Sequence, residues 1–188
     1  VLQTGRLHLE PAGLVHLDLL AELNGDPEVM RHLLGRAATR TETEAEWAER
    51  LGPRTDTARE LGCWIGWHGG RFAGWWSASS FATDASISGI GYRLRRSLWG
   101  RGLATEGARR LVTHAFGVPG IEACVASTMA VNAGSRRVLE KLGMTHVDTV
   151  HQAWAERLPG AEQGEVVYRL ERPSADPERP GRDGTSLP

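Results

Sequence analysis

The 188-residue chain has no apolar run long enough to cross a membrane, only two cysteines, and a near balance of charge in which Lys141 is the one lysine. Each shortage excludes something. Without a stretch of about 20 apolar residues no transmembrane helix is expected. The N-terminus also lacks the basic, apolar and small-residue succession of a signal peptide, so the expected address is the cytoplasm. Cys63 and Cys124 both stand in apolar, strand-like stretches, where a buried free thiol is expected rather than a disulfide or a metal ligand. Neither redox nor metal chemistry is expected. A formal net charge of -1 denies the chain the broad basic footprint that nonspecific nucleic-acid binding requires. What is left is the make-up of one globular domain, 40% hydrophobic and 24% charged, with enough chain for a sizeable core.

The most informative stretch runs from Ser97 to Phe116, SLWGRGLATEGARRLVTHAF. Gly100 and Gly102 flank Arg101, so the backbone there can approach a ligand closely. A helix follows, because Ala104, Ala108, Leu111, Val112, Ala115 and Phe116 recur at the spacing of one buried face. Its first free amides point back into the turn, and Glu106 and His114 complement the helix dipole. Such a turn suits a phosphate; a G-x-G alone is equally a tight strand-to-helix connection that binds nothing. Ahead of it ISGIGYRLRR, residues 87–96, reads as a strand. Behind it come a second strand, IEACVAST (121–128), and a second helix, NAGSRRVLEKLGM (132–144), opened by Asn132 as N-cap.

Elsewhere the pattern is of alternating strands and short helices. RLHLEP is a first strand ended by Pro11. Leu14, Leu17, Leu20 and Ala21 share one helical face. Asp26-Pro27-Glu28 opens a further helix with Val29, Met30, Leu33 and Leu34 as its buried stripe, and TETEAEWAERL a third with Trp47, Ala48 and Leu51 inward. Gly69-Gly70 between CWIGWH and RFAGWWSASS marks a hairpin. Its tryptophans, Trp64, Trp67, Trp75 and Trp76, read as core packing ahead of an aromatic substrate cage; dimer contact explains the same apolar surface, and a homodimer stays open. FATDAS (81–86) is a loop. HVDTV and EVVYRL are two last strands around a polar segment with turn signals at Leu158-Pro159-Gly160. One domain is expected over residues 1–171, with a flexible polar tail at 172–188.

The order strand, G-x-G turn, helix, strand, asparagine, helix resembles the GNAT superfamily of acyl-CoA-dependent N-acyltransferases. The likeness is greatest to its ribosomal-protein N-terminal acetyltransferase (RimJ/RimL-type) branch, through GYRLRRSLWGRGLATEGARRL and NAGSRRVLEKLGM, with weaker echoes in TGRLHLEP and DPEVMRHL. The resemblance implies an α/β (α+β) fold with a single mixed, mostly antiparallel sheet of about six to seven strands, splayed like a V at its centre and flanked by about four helices. It implies acetyl-CoA as cosubstrate and no metal. The diphosphate would meet the amides of Gly100, Arg101, Gly102, Leu103, Ala104 and Thr105, and the pantetheine arm the backbone of Tyr92, Arg93 and Leu94. Asn132 would contact the carrier, and Ser135 would lie near the sulfur, where it or a water would protonate the thiolate.

Three departures from the family pattern matter. Ser97 stands where glutamine or arginine is usual, Leu139 where many relatives have a tyrosine acid, and Gly89 where several have a glutamate base. For the base there remain Asp148, His151, Glu28, Asp84 and His68, each also readable as a surface or capping group. An α-amine, with a pKa of about 7.7 to 8.0, is partly neutral already and needs less help than a lysine side chain. The expected activity is acetyl transfer from acetyl-CoA to a primary amine, a protein N-terminus or a small molecule, by direct attack in a ternary complex. Another acyl-CoA such as succinyl-CoA, or a non-catalytic acyl-CoA sensor, are the alternatives. No nucleic-acid or membrane partner is expected.

Overall fold

The structure is a computed structural model that describes residues 1–81, 83–151 and 158–173. The expected tail from residue 174, part of the polar segment before Leu158, and Ala82 lie outside the described residues.

Strands β1 (Leu2–Gln3), β2 (His8–Pro11), β3 (Gly62–His68), β4 (Arg71–Ser80), β5 (Ile87–Leu94), β6 (Ala123–Met129), β7 (Thr145–Val150) and β8 (Glu165–Glu171) form one sheet in the order β1-β2-β3-β4-β5-β6-β8-β7. Among the described residues four α-helices flank it, α1 (Leu17–Asn24), α2 (Arg40–Leu51), α3 (Leu103–Gly117) and α4 (Ala133–Lys141). Among the described residues there are eight strands rather than six or seven, because two-residue β1 has too little pattern to be read. Among the described residues no helix is long and apolar enough to cross a membrane.

Every pairing is antiparallel except that of β5 with β6, which holds only from Ile87 to Gly89 against Ala123 to Val125. Beyond Gly89 the two strands part. The rest of β5 is paired with β4 and the rest of β6 with β8, so a gap opens at the centre of the sheet. This is the expected splay.

The tryptophan-rich hairpin explains how both faces of the sheet are filled. Gly69 and Gly70 turn with φ of 58° and 73°, the left-handed geometry that a two-residue hairpin favours. On one face Trp64 and Trp76 join Leu111, Ala115 and Leu139 under α3 and α4; on the other Trp75 packs with Trp47, Phe72 and Ile65 under α1 and α2. Trp67, half-buried, packs against this second group, so all four hairpin tryptophans are packing residues. Cys63 and Cys124 are buried free thiols, as expected.

Trp76 sets the position of α3. Fully buried, its ring lies between Gly66 of β3 and Gly107 of α3, and its Nε1 donates to Ala104 O at 3.1 Å. A β-carbon at Gly107 would collide with the indole. Gly107→Ala should thus destabilise the fold by about 1–3 kcal/mol, although helix propensity alone would favour alanine by about 1 kcal/mol. Chemical denaturation gives the sign directly.

Three local expectations fail. Leu14 is 71% exposed, because α1 starts only at Leu17 after a single 3-10 turn and buries Leu20 and Leu23. Ala48 faces solvent on α2. Residues 27–34 form successive turns, not a helix: the Asp26 carboxylate does accept from the Glu28 amide, but the amides of Leu33, Leu34 and Gly35 all converge on Met30 O, and Gly35 takes φ of 71°. Val29 and Met30 are still buried. At the other end Arg172 donates to the carbonyls of Phe116, Val118 and Ile121 and closes the end of α3.

Candidate active site

The turn between β5 and α3 is made of residues that leave their amides open. A 3-10 turn over Arg96–Leu98 is followed by Gly100 and Gly102 with φ of 73° and 78°, and Gly102 is the N-cap of α3. The first helical bond runs from the Glu106 amide to Gly102 O, and among the described residues no amide from Gly100 to Thr105 has an acceptor. Open amides at the positive end of a fifteen-residue helix make a seat for an anion.

Arg6 and Glu106, which sequence reasoning did not place at the site, brace this seat. Glu106 accepts from Thr4 Oγ1 at 2.6 Å, from the Arg6 amide at 2.8 Å and from Arg6 Nε at 2.6 Å, while Arg6 Nη1 donates to Arg101 O at 2.9 Å. Burial alone would raise the Glu106 carboxyl, but these hydrogen bonds and the Arg6 charge outweigh it and hold it below the usual carboxylate range. The TGRLHLEP echo carried Thr4 and Arg6; nothing local linked them to a helix some hundred residues on.

From the turn, β5 leads into the gap. The Arg95 amide bonds Ala73 O, and the antiparallel register continues without a break from Gly74 opposite Leu94 to Ser80 opposite Ser88. By that alternation the backbone of Arg93 belongs to the ladder with β4, whereas Ile90, Tyr92 and Leu94 turn their amides and carbonyls toward the gap. Trp99 Nε1 already donates to Leu94 O. Arg93 differs from its two neighbours in side chain as well. Its guanidinium is buried on the opposite face, with Nη1 at 2.6 Å from Asn24 Oδ1 and 2.9 Å from Glu46 Oε2, and Nη2 at 3.0 Å from Glu46 Oε1.

Across the gap stands the start of α4. Asn132 is its N-cap, as expected: its Oδ1 accepts the Ser135 amide at 3.1 Å, and its Nδ2 bonds none of the described residues. The Tyr92 hydroxyl lies 3.0 Å from Ser135 Oγ and 3.1 Å from Ser135 O. Tyr92, Asn132 and Ser135 are therefore brought together, and burial pushes the Tyr92 phenol up to about 12. Leu139, 1% exposed, is part of the core.

None of the expected base candidates hydrogen-bonds this group. Asp84 holds its own turn, accepting from the Ser86 amide and hydroxyl, and Asp148 accepts from the Thr149 amide. His68 bonds Arg6 O, Glu28 pairs loosely with Arg31, and His151 is exposed. At Gly89 the ring of Phe81 lies over the strand, 3.0 Å from where a β-carbon would stand. A larger residue there would have to displace that ring.

Residues 6–145 match the family model of the acetyltransferase (GNAT) domain. The chain is 35% identical over 181 residues to the FsC-acetyl coenzyme A-N(2)-transacetylase of Aspergillus fumigatus, covering 91% of this chain and 76% of that protein. Among solved structures, RimL, a ribosomal L7/L12 alpha-N-protein acetyltransferase in complex with coenzyme A, superposes with a TM-score of 0.72 at 20% identity, over 89% of this chain and 95% of that one. A GNAT-family acetyltransferase from Bacillus anthracis gives 0.70 at 18% identity, over 90% and 96%.

Proposed function

The chain belongs to the GNAT acetyltransferase family, the acetyl-CoA-dependent acyltransferases, and on that premise we propose which residues hold the carrier and how the acetyl group leaves it. The observation that carries the reading is the run of open amides from Gly100 to Thr105 at the mouth of the central gap. The diphosphate of acetyl-CoA takes those amides, with the Arg101 side chain as an added cation. The pantetheine arm lies along β5 as a substitute strand, bonded to the open backbone of Tyr92, to the Leu94 amide and to Asn132 Nδ2. Arg93 serves from beneath, tying β5 to α1 and α2.

A neutral primary amine enters from the face that carries Gly89 and attacks the thioester carbonyl directly in a ternary complex. The carbonyl oxygen is polarised by a β5 amide, the amine gives up its proton through water, and Ser135 protonates the departing thiolate. The name of the Aspergillus fumigatus relative places its transfer on N(2) of FsC, which supports nitrogen as the acceptor atom here too. The acceptor is a primary amine of a small molecule or a protein N-terminus.

Thiol release from acetyl-CoA and succinyl-CoA, followed over a panel of small amines and N-terminal peptides, tests this. Turnover with acetyl-CoA and at least one primary amine is expected. Tight CoA binding with no turnover on any amine would instead identify a sensor.

A further inference from the structure

The position at which many relatives carry a tyrosine acid is Leu139, buried in the core, yet a phenol does stand beside Ser135. It comes from β5, 43 residues away, on Tyr92. One phenolic hydrogen faces two acceptors, the carbonyl and the hydroxyl of the same serine, at 3.1 and 3.0 Å. The two choices differ in consequence. If the phenol donates to Ser135 O, the serine hydroxyl is left to give its own hydrogen back to Tyr92. If it donates to Ser135 Oγ, the serine hydrogen is free to point elsewhere.

We propose that Tyr92 is the positioning residue for protonation of the leaving thiolate: its phenol donates to Ser135 Oγ and turns the Ser135 hydrogen into the gap between β5 and β6. The inference rests on the carrier lying in that gap, as set out under Proposed function. When the tetrahedral adduct collapses, the C–N bond is kept, the C–S bond breaks and its electron pair stays on sulfur. The amine nitrogen loses one proton to water, sulfur takes one from Ser135, and Ser135 regains one from water, so the balance is that of simple acyl transfer. Tyr92 changes no bond; its hydrogen bond stabilises the serine oxygen while the proton is in transit, at the positive end of α4.

Among the described residues the neighbouring charged groups are engaged away from this pair. The Tyr92 phenol stays neutral because burial raises it. On α4, Arg136 is spent on Tyr168 OH and Ala130 O, Glu140 accepts from Tyr168, Arg137 faces solvent and the main-chain oxygen of Lys141 accepts from Arg109. On β5 the Arg93 charge is held on the opposite face, and on β6 burial pushes the Cys124 thiol up to about 12.

The test uses CoA itself and needs no acceptor. Alkylation of protein-bound CoA by iodoacetamide, read as carbamidomethyl-CoA by mass spectrometry across pH, reports the acidity of the bound thiol. A hydroxyl aimed at sulfur favours the thiolate and lowers that pKa. Ser135→Ala and Tyr92→Phe should each move the midpoint up by about one pH unit, and the double variant should move it no further. Calorimetry should find CoA affinity in both single variants within about threefold of the parent. An unmoved midpoint in Tyr92→Phe with CoA still bound, or shifts that add in the double variant, would overturn the role of Tyr92 alone. Failure of the parent to bind CoA would overturn the site reading beneath it.

Discussion

Gly102→Glu should lose coenzyme A binding by about a hundredfold or more while the protein stays folded. The glutamate would stand at the N-cap of α3, among amides with no acceptor of their own among the described residues, where the diphosphate is proposed to sit. Two or three charge-assisted hydrogen bonds lost at about 1.5–3 kcal/mol each come to at least about 3 kcal/mol, and about 1.4 kcal/mol is tenfold in affinity. The fold should persist because a β-carbon at residue 102 meets only Arg6 Nη2, the end of a flexible side chain, at 3.4 Å. What remains is backbone strain at φ of 78°, about 1–2 kcal/mol for a residue other than glycine. Gly102→Ala is the control, since it carries the same strain without the bulk or the charge. Calorimetry with CoA should therefore separate the two variants, the alanine binding within about tenfold of the parent.

Glu46→Ala should be the most destabilising substitution outside the apolar core, by about 3–5 kcal/mol. Glu46 receives Arg93 through both carboxylate oxygens and Arg50 Nη2 at 2.9 Å, and the Arg93 side chain is only 7% exposed. Without Glu46 a buried guanidinium keeps, among the described residues, Asn24 as its one other side-chain acceptor, beside a second arginine stacked 4.2 Å from the Trp75 ring centre. Removing both charges should cost less than removing one, so Glu46→Leu with Arg93→Met should be more stable than Glu46→Leu alone.

The same cluster sets a pH dependence. Burial would raise the Glu46 carboxyl, but Arg93 and Arg50 outweigh it and hold it below the ordinary value, as Thr4 and Arg6 do for Glu106. The unfolded chain then binds more protons than the folded one between the lowered folded values and about pH 4.5. Stability from both groups is fully present above that range and is lost as pH falls through the folded values. Thermal melts from pH 7 to pH 3 should show the loss, and Glu46→Gln should flatten it.

What could be read along the chain was what is encoded locally. The α3 face repeats over four turns, the Gly69-Gly70 hairpin needs only two residues with positive φ, and Asn132 caps the helix it precedes. The splay could be expected only through family likeness: the register ends at Gly89 and Val125, but glycine in a strand does not by itself announce where pairing stops, since Gly66 and Gly74 pair with each other inside β3 and β4. The turns after Asp26 were misread because a good cap and an apolar stripe are necessary for a helix but do not sustain one when three amides compete for Met30 O. Contacts across long stretches of sequence were illegible: Glu106 with Thr4 and Arg6, Trp76 in the slot between Gly66 and Gly107, and Tyr92 against Ser135. Each depends on two elements being placed first. The side-chain direction of Arg93 follows from the strand alternation that also turns Tyr92 and Leu94 toward the gap, and periodicity could have told them apart.

A crystal structure of the protein with acetyl-CoA is the most direct measurement. The predicted result is a diphosphate within hydrogen-bond distance of the amides between Gly100 and Thr105, with the pantetheine arm between β5 and β6. A carrier bound elsewhere with those amides facing only solvent, or a gap closed by the protein's own side chains, would contradict it.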